Sequence, residues 1–255
     1  MVELKTESEL AVMREAGRVV ARALHTVRDA ARPGVSLLEL DTIAAQVILD
    51  AGAVSSFLNY HPRFAPTPFP GVICASVNDV IVHGIPDGYR LRDGDLVSID
   101  CGACLDGFHG DSAISFTIGP PTEADATLIK HANEALDAAI DTARAGGRLG
   151  DVSAAVGRIG RAAGYGIPQG FGGHGVGRRM HEEPSVPNEG QPNRGFPLRP
   201  GLVIAIEPMF MAGGHDHFTT DPDGWALRTS DGSRAAHVEH TVAVTESGPV
   251  VLTAP

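Results

Sequence analysis

Gly94-Asp95-Leu96-Val97-Ser98-Ile99-Asp100 and, 107 residues later, Gly201-Leu202-Val203-Ile204-Ala205-Ile206-Glu207 follow one pattern. Each is a glycine, then an apolar run of strand length, then a carboxylate. Short apolar runs bounded by turn residues read as buried strands. After each comes a second strand that opens on a carboxylate: Asp111-Ser112-Ala113-Ile114-Ser115-Phe116-Thr117, and Glu239-His240-Thr241-Val242-Ala243-Val244-Thr245. Two H-x-x-P motifs, His83-Gly84-Ile85-Pro86 and His181-Glu182-Glu183-Pro184, belong to the same duplication at an offset of 98.

The duplication extends upstream. Thr6-Glu7-Ser8-Glu9 and Ser36-Leu37-Leu38-Glu39 are capping boxes. Each precedes apolar residues at helical spacing: Leu10, Met13, Val20, Leu24 and Val27, then Leu40, Ile43, Ala44, Val47 and Ile48. Arg32-Pro33-Gly34 separates the two helices, and Gly52 ends the second. Residues 123–164 repeat the plan with Leu128, Ala132, Leu136 and Ile140, then Val152, Val156 and Ile159. Positions 23–52 align without gaps on the segment 112 residues later, matching Asp29/Asp141, Arg32/Arg144, Gly34/Gly146, Leu37/Leu149 and Gly52/Gly164. The chain therefore reads as α+β, with two halves at about residues 10–119 and 123–250. A pseudo-twofold relates them, and functional groups from both converge on one cleft. The changing offsets put insertions in loops, mainly residues 212–234.

Composition narrows the function. Lys+Arg 20 against Asp+Glu 31 leaves a net charge of −11, which excludes a non-specific nucleic-acid binder, since that affinity comes from clustered cations. The 43% hydrophobic content is that of a globular chain, yet no apolar run reaches membrane-spanning length. The acidic start, Met1-Val2-Glu3-Leu4-Lys5-Thr6-Glu7, has no apolar core of a signal peptide. Three cysteines are too few, and an odd number, for a disulfide framework, so a reducing cytoplasm is expected.

The four repeated acids carry the chemistry. If the turn between Asp100 and Asp111 centres on their midpoint, the two face each other across the ladder. Like charges so placed need a shared proton, a basic partner or a cation. Glu207 and Glu239 pose the same problem in the second half. A divalent metal pair resolves both, because carboxylates can bridge two metals. A proton-sharing aspartic dyad is the competing chemistry, and Glu and His partners suit it poorly. Gly170-Phe171-Gly172-Gly173-His174-Gly175-Val176-Gly177 lets backbone approach another group closely and adds His174, an imidazole ligand beside the acids. It lacks the Gly-Lys-Ser/Thr of a phosphate loop. Cys101-Gly102-Ala103-Cys104 has no second Cys pair to complete a zinc site and reads as reduced thiols. His215-Asp216-His217 lies in a polar insertion and is a weaker ligand candidate.

These motifs resemble the type I methionine aminopeptidases. The family shares the pita-bread fold, a central curved antiparallel sheet with helices outside, with creatinase and prolidase. The resemblance runs over about residues 4–250 and rests on Ser76-Val77-Asn78-Asp79-Val80-Ile81-Val82-His83-Gly84-Ile85-Pro86, Asp100-Cys101-Gly102, Gly110-Asp111, Gly173-His174-Gly175-Val176-Gly177, His181-Glu182-Glu183-Pro184, Ile206-Glu207-Pro208-Met209 and Glu239-His240-Thr241. It implies a single catalytic domain over residues 1–255 that removes N-terminal methionine, ahead of a small second residue, from nascent polypeptides. The cofactors implied are two divalent ions of Co, Mn, Fe or Zn. Asp100, Asp111, His174, Glu207 and Glu239 fall on the ligand positions, with Asp111 and Glu239 bridging. Glu207 falls on the general base, His181 on the contact to the carbonyl oxygen, and His83 on the contact to the scissile nitrogen. Tyr60, Phe69, Cys74 and Trp225 fall on the methionine pocket.

The chain departs from the family in three places. Tyr60 through Pro70 is longer and richer in Pro, Met180 stands where an aromatic is common, and Ala235-Ala236-His237-Val238 replaces the usual Ser-Ala-Gln-Phe. A monomer working in the cytoplasm is expected. Action on nascent chains would bring it near the ribosome, though no ribosome-docking extension is legible. The rival readings are an Xaa-Pro exopeptidase on the same fold, which usually carries a large extra N-terminal domain, and a metal-free binding relative. Retention of all five ligand types opposes the latter.

Overall fold

The computed structural model describes residues 2–255. Helices α1 (Glu7–Ala30) and α2 (Leu37–Asp50) lead the first half. Strands β1 (Val54–Ser55), β2 (Ile73–Val77), β3 (Val80–Val82), β4 (Leu96–Leu105) and β5 (Phe108–Thr117) follow. Helices α3 (Glu123–Thr142) and α4 (Leu149–Ala162) lead the second. They are followed by β6 (Gly172–Gly175), β7 (Glu182–Pro187), β8 (Val203–Ile206), β9 (Met209–Met211), β10 (Phe218–Thr220), β11 (Leu227–Thr229), β12 (Ala235–His237), β13 (Glu239–Thr245) and β14 (Gly248–Val251). Both capping boxes form: Thr6 and Ser36 accept from the backbone N–H of Glu9 and Glu39, whose side chains reach back. The read apolar stripes are the buried faces, with Met13, Val20, Leu24 and Val27 on α1 and Leu128, Ala132 and Leu136 on α3. No helix among the described residues is long and apolar enough to cross a membrane.

One antiparallel sheet joins the halves in the order β1-β4-β5-β13-β8-β6-β7, with β2 added to β4 and β14 to β13. The central order β4-β5-β13-β8 is the palindrome a pseudo-twofold requires. The sheet curls because β4 and β13 change partners along their length: β4 pairs β2 through Cys101 and β1 from Ala103, and β13 pairs β5, β8 and β14 in succession. Alternate residues point to opposite faces. Val97, Ile99, Cys101 and Ala103 pack under α1 and α2, and Ile204, Ile206, Val242 and Val244 under α3 and α4. The opposite face, which carries Asp100 and Asp111, lines the cleft.

The seam between halves is short. β5 and β13 pair only at Ala113–Glu239 and Ser112–His240, and hydroxyls extend it. Asp111 N–H donates to Thr241 Oγ1 at 3.0 Å, and the Thr241 hydroxyl donates to the Asp111 carbonyl at 2.8 Å. Ser112 Oγ donates to the Glu239 carbonyl, and Ser115 Oγ to the His237 carbonyl. Hydroxyl donors thus take over where the backbone ladder stops.

Three expectations are corrected. The turn falls on Asp106 and Gly107, with φ of 48° and 80°, so Asp100 pairs with Ala113 and Asp111 with Gly102. The two acids share a face but lie diagonally, which moves their Cβ atoms apart. Neither acid sits at a strand end: β4 runs on to Leu105 and β5 starts at Phe108. The 212–234 insertion is also not wholly loop, since β10 and β11 join β3 in a three-stranded sheet.

The glycine-rich segment works by close approach, as its composition implies. A Cβ on Gly173 would run into the Ala205 carbonyl oxygen, and one on Gly175 into that of Glu183. Gly173→Ala is therefore expected to cost about 1–3 kcal/mol, the range for an unaccommodated methyl in a packed site. Thermal melting followed by circular dichroism measures this; an unchanged midpoint would mean that β6 yields freely.

Candidate active site

The acids lie in two rows across the sheet. Cys74, Asp100, Ala113 and Glu239 are successive partners on β2, β4, β5 and β13. Glu207 continues that row one step past the Ile206–His240 pair. Two residues along, Gly102, Asp111, Thr241 and Ala205 form the next row. His174 enters beside it, next to the Gly175–Ile204 pair. Small residues at 102, 113 and 205 separate the acids and leave the space above the sheet to their carboxyl groups.

The cluster is buried. Asp111 is 3%, Glu239 2%, and Glu207 and His174 each 9% exposed. Asp100 Oδ1, Asp111 Oδ1 and Glu239 Oε1 are enclosed with no hydrogen-bond partner. Burial, then neighbouring acids, raise Asp100 and Glu239 well above the usual carboxylate range. Burial also raises Asp111, against the opposing pull of His174. Burial would raise Glu207 too, but His237 and His174 outweigh it and hold this group low, as a carboxylate. His174 Nδ1 donates to the Gly175 carbonyl at 2.9 Å, which aims Nε2 at Asp111 Oδ2, 3.5 Å away, and Glu207 Oε1, 3.9 Å away; Nε2 is the atom that would give up its proton to ligate a cation.

A divalent cation fits this donor set. Orphaned carboxyl oxygens beside an imidazole whose Nε2 faces them need a cation more than another hydrogen bond. Ligand atoms of Asp111, His174 and Glu239 lie within 4.8 Å of one another, the one such grouping among the described residues. Glu207 and Asp100 border it. Neither weaker candidate competes. Cys101 and Cys104 are free thiols, with Cys101 on the helix side of the sheet. Asp216, between His215 and His217, is taken by Arg161 at 2.6 Å.

The rest of the site is a cavity of about 390 Å³ that opens over the acids. Phe57, Phe69, Cys74, Met180 and Trp225 form its apolar wall with Tyr60 at the edge. Trp225 is fixed by its Nε1 donating to the Thr67 carbonyl at 3.0 Å, and by edge contacts with Phe69 and Phe64. The Pro-rich stretch is therefore part of the wall: it supplies Phe64 and Phe69, and its Thr67 carbonyl holds Trp225. Tyr60, Phe69, Cys74 and Trp225 all line the cavity; so do Phe57 and Phe64, which carried no motif, and Phe171 and Met209, which lay within quoted motifs but were given no role.

Both H-x-x-P histidines reach the cavity from separate elements. His181 is stacked between Tyr60 and His174, with ring centroids at 5.1 and 4.0 Å. His83 follows β3 with φ of 61°, a left-handed conformation that costs a non-glycine residue about 1–3 kcal/mol and is held by contacts to Phe171 and Trp225. Burial lowers His83 to about 4 and, with the nearby His174, His181 to about 3. Both rings are neutral at pH 7 and can each donate one N–H. His237, also missed, puts Nε2 3.3 Å from Glu207 Oε2. Its signal was its position two residues before Glu239, on the same face of an extended chain.

Comparison with known proteins agrees with this geometry. The model of metallopeptidase family M24 matches residues 11–246. A methionine aminopeptidase 1 of Mycobacterium tuberculosis is 50% identical, over 99% of this chain and 95% of its own. The crystal structure of a methionine aminopeptidase from Thermotoga maritima superposes with a TM-score of 0.95 at 37% identity, over 100% of both chains. A prolidase from Pyrococcus furiosus, at 22% identity and a TM-score of 0.77 over 99% of this chain and 65% of its own, shares the fold alone. The site residues, the curled two-half sheet and these likenesses lead to one conclusion: this chain belongs to metallopeptidase family M24 and has the pita-bread fold of its methionine aminopeptidases.

Proposed function

We propose that this chain is a metal-dependent aminopeptidase that releases N-terminal methionine, ahead of a small second residue, from nascent polypeptides in the cytoplasm. The observation that carries the reading is a single cavity with buried acids and His174 as its floor and an aromatic and sulfur-lined pocket as its wall. The whole chain is taken as one catalytic unit, since both halves supply acids to that floor.

In this reading Asp100, Asp111, His174, Glu207 and Glu239 would together hold two divalent ions, with Asp111 and Glu239, at the centre of the cluster, able to serve both. Oxygen-rich sites with one imidazole accept Mn, Fe, Co or Zn. Such ions polarise a carbonyl and acidify water. Glu207, kept ionised by its imidazole neighbours, takes the proton of the attacking water. His181 donates its neutral N–H to the carbonyl oxygen as that atom gains charge. His83, on another wall, contacts the scissile nitrogen. The unbranched thioether of methionine suits a wall of Phe69, Met180, Cys74 and Trp225. It buries three more heavy atoms than alanine, worth about 2.4 kcal/mol at ~0.8 per methylene-sized group, or roughly 50-fold in selection. An Xaa-Pro peptidase is the second reading, and the prolidase likeness supports it at the level of fold only.

Purified chain supplied with each metal in turn is expected to cleave Met-Ala-Ser, to discriminate against Ala-Ala-Ser by roughly the factor above, and to leave Ala-Pro-Phe intact. Acetyl-Met-Ala-Ser is expected to resist, because an aminopeptidase must recognise the free amine. Efficient cutting of the acetylated peptide would exclude an aminopeptidase.

His181→Ala is expected to lower kcat by about 10²–10³, the loss seen for one oxyanion donor, with a smaller change in KM. Bound metal, measured by elemental analysis, should remain at the wild-type level; its loss would make His181 a ligand.

Metal removal has a signed pH dependence. Asp100 and Glu239 ionise at 3.8 and 4.5 in an unstructured chain and well above that when folded without cations. The folded form then holds more protons, so these groups cost stability increasingly as pH rises above the unfolded values. The gap in melting midpoint between Mn-loaded and chelated chain is expected to widen from about pH 4 to about pH 8. A constant gap would contradict the assignment of these acids to the cations.

A further inference from the structure

His237 is the second partner of Glu207. It is 2% exposed, does not line the cavity, and sits opposite Met209 where β12 pairs β9. Its backbone is fixed from the other half of the molecule. The His237 N–H donates to Ser115 Oγ at 3.1 Å and to Ser98 Oγ at 3.3 Å, and its carbonyl accepts from Ser115 Oγ at 2.7 Å. Those two hydroxyls are themselves 2.7 Å apart across the β4–β5 ladder. The imidazole is thus delivered to one place: its Nε2 is enclosed without a hydrogen-bond partner and lies 3.3 Å from Glu207 Oε2, within ion-pair reach but not aligned for a hydrogen bond.

The two oxygens of Glu207 are then divided. Oε2 faces His237, while Oε1 faces the cluster, 3.9 Å from His174 Nε2. The backbone of Glu207 is held as well, its carbonyl accepting from buried Asn188 at 2.9 Å. We propose that His237 is a positioning residue for Glu207: by drawing Oε2 toward its otherwise unpartnered Nε2 it leaves Oε1 as the oxygen presented to the cation site, and it thereby sets the cation affinity. The proposal rests on the reading of the cluster as a divalent-cation centre. It follows from chemistry general to such sites, where a donor behind a ligating carboxylate fixes which lone pairs point at the ion. The residue acts through Glu207 and touches neither cavity nor substrate.

The test compares H237L, which keeps the bulk and loses the donor, with H237Q, whose side-chain amide restores an N–H of similar reach. Full-length protein is stripped by chelation and titrated with Mn(II) by calorimetry, and with Co(II) while its visible absorption is followed. H237L is expected to bind Mn(II) about 10–100-fold more weakly and to show an altered Co(II) spectrum, with H237Q restoring most of both. In an E207Q background, H237L is expected to cause no further loss, since it acts through that carboxylate. If circular dichroism shows that H237L does not fold, H237M carries the same comparison. An H237L protein that binds Mn(II) as tightly as wild type overturns the proposal, as does an H237Q protein no better than H237L. A wild-type chain that binds no divalent ion overturns this proposal together with the reading of the site beneath it.

Discussion

Four carboxyl groups on one buried face of a sheet cannot all be ionised without compensation, and the rest of the structure is arranged around that constraint. Desolvation alone disfavours each charge, and their proximity adds repulsion. The chain does not relieve this with lysines or arginines. The one buried Lys or Arg among the described residues, Lys5, is committed to Glu182 at 2.7 Å, outside the cluster. It offers instead one imidazole with its Nε2 turned inward and several oxygens without donors. Such an arrangement costs stability in isolation and is compensated by a divalent ion, so folding and cofactor binding draw on the same interactions.

The sheet carries that strain because its two halves are joined where the acids are. Only two backbone pairs cross from β5 to β13, and both adjoin ligand candidates. Thr241, Ser112 and Ser115 add hydroxyl bonds at the same place. Apolar side chains there would leave backbone polar groups at the end of a ladder unpaired and would crowd the carboxylates. Small hydroxyls satisfy the backbone and keep the face open. Ser115 also holds His237, so one hydroxyl serves both the seam and the residue behind Glu207.

Acids and pocket are built on different foundations. The acids stand on central strands, whose mutual register fixes them. The apolar wall comes largely from the 57–70 loop and from Trp225 beside the inserted β10–β11 hairpin, segments free to differ among proteins with the same acids. The long Pro-rich stretch changes the wall without disturbing the floor. Its exposed Phe64 leans on Trp225, and its Thr67 carbonyl fixes the indole.

The helices, their caps, the strand pattern and the duplication were legible because each is local: a capping box spans four residues, and a repeat is visible by alignment. Asp100, Asp111, His174, Glu207, Glu239, His83 and His181 were legible because they recur at matched places in the halves or within specific motifs. The β4–β5 register was misread by one residue on each strand, since the Asp106-Gly107 signal names a turn while only the formed ladder fixes its centre. Phe57, Phe64 and the contact His237 makes were missed for a related reason. Their roles depend on which residues face them from distant segments, and that is set by how a curled sheet brings β12 against β9 and a loop against Trp225. The sequence by itself determined the fold class and the kinds of side chain at the site. Tertiary structure alone decided their rows, their burial and hence their proton affinities, because desolvation and charge coupling depend on distance in space.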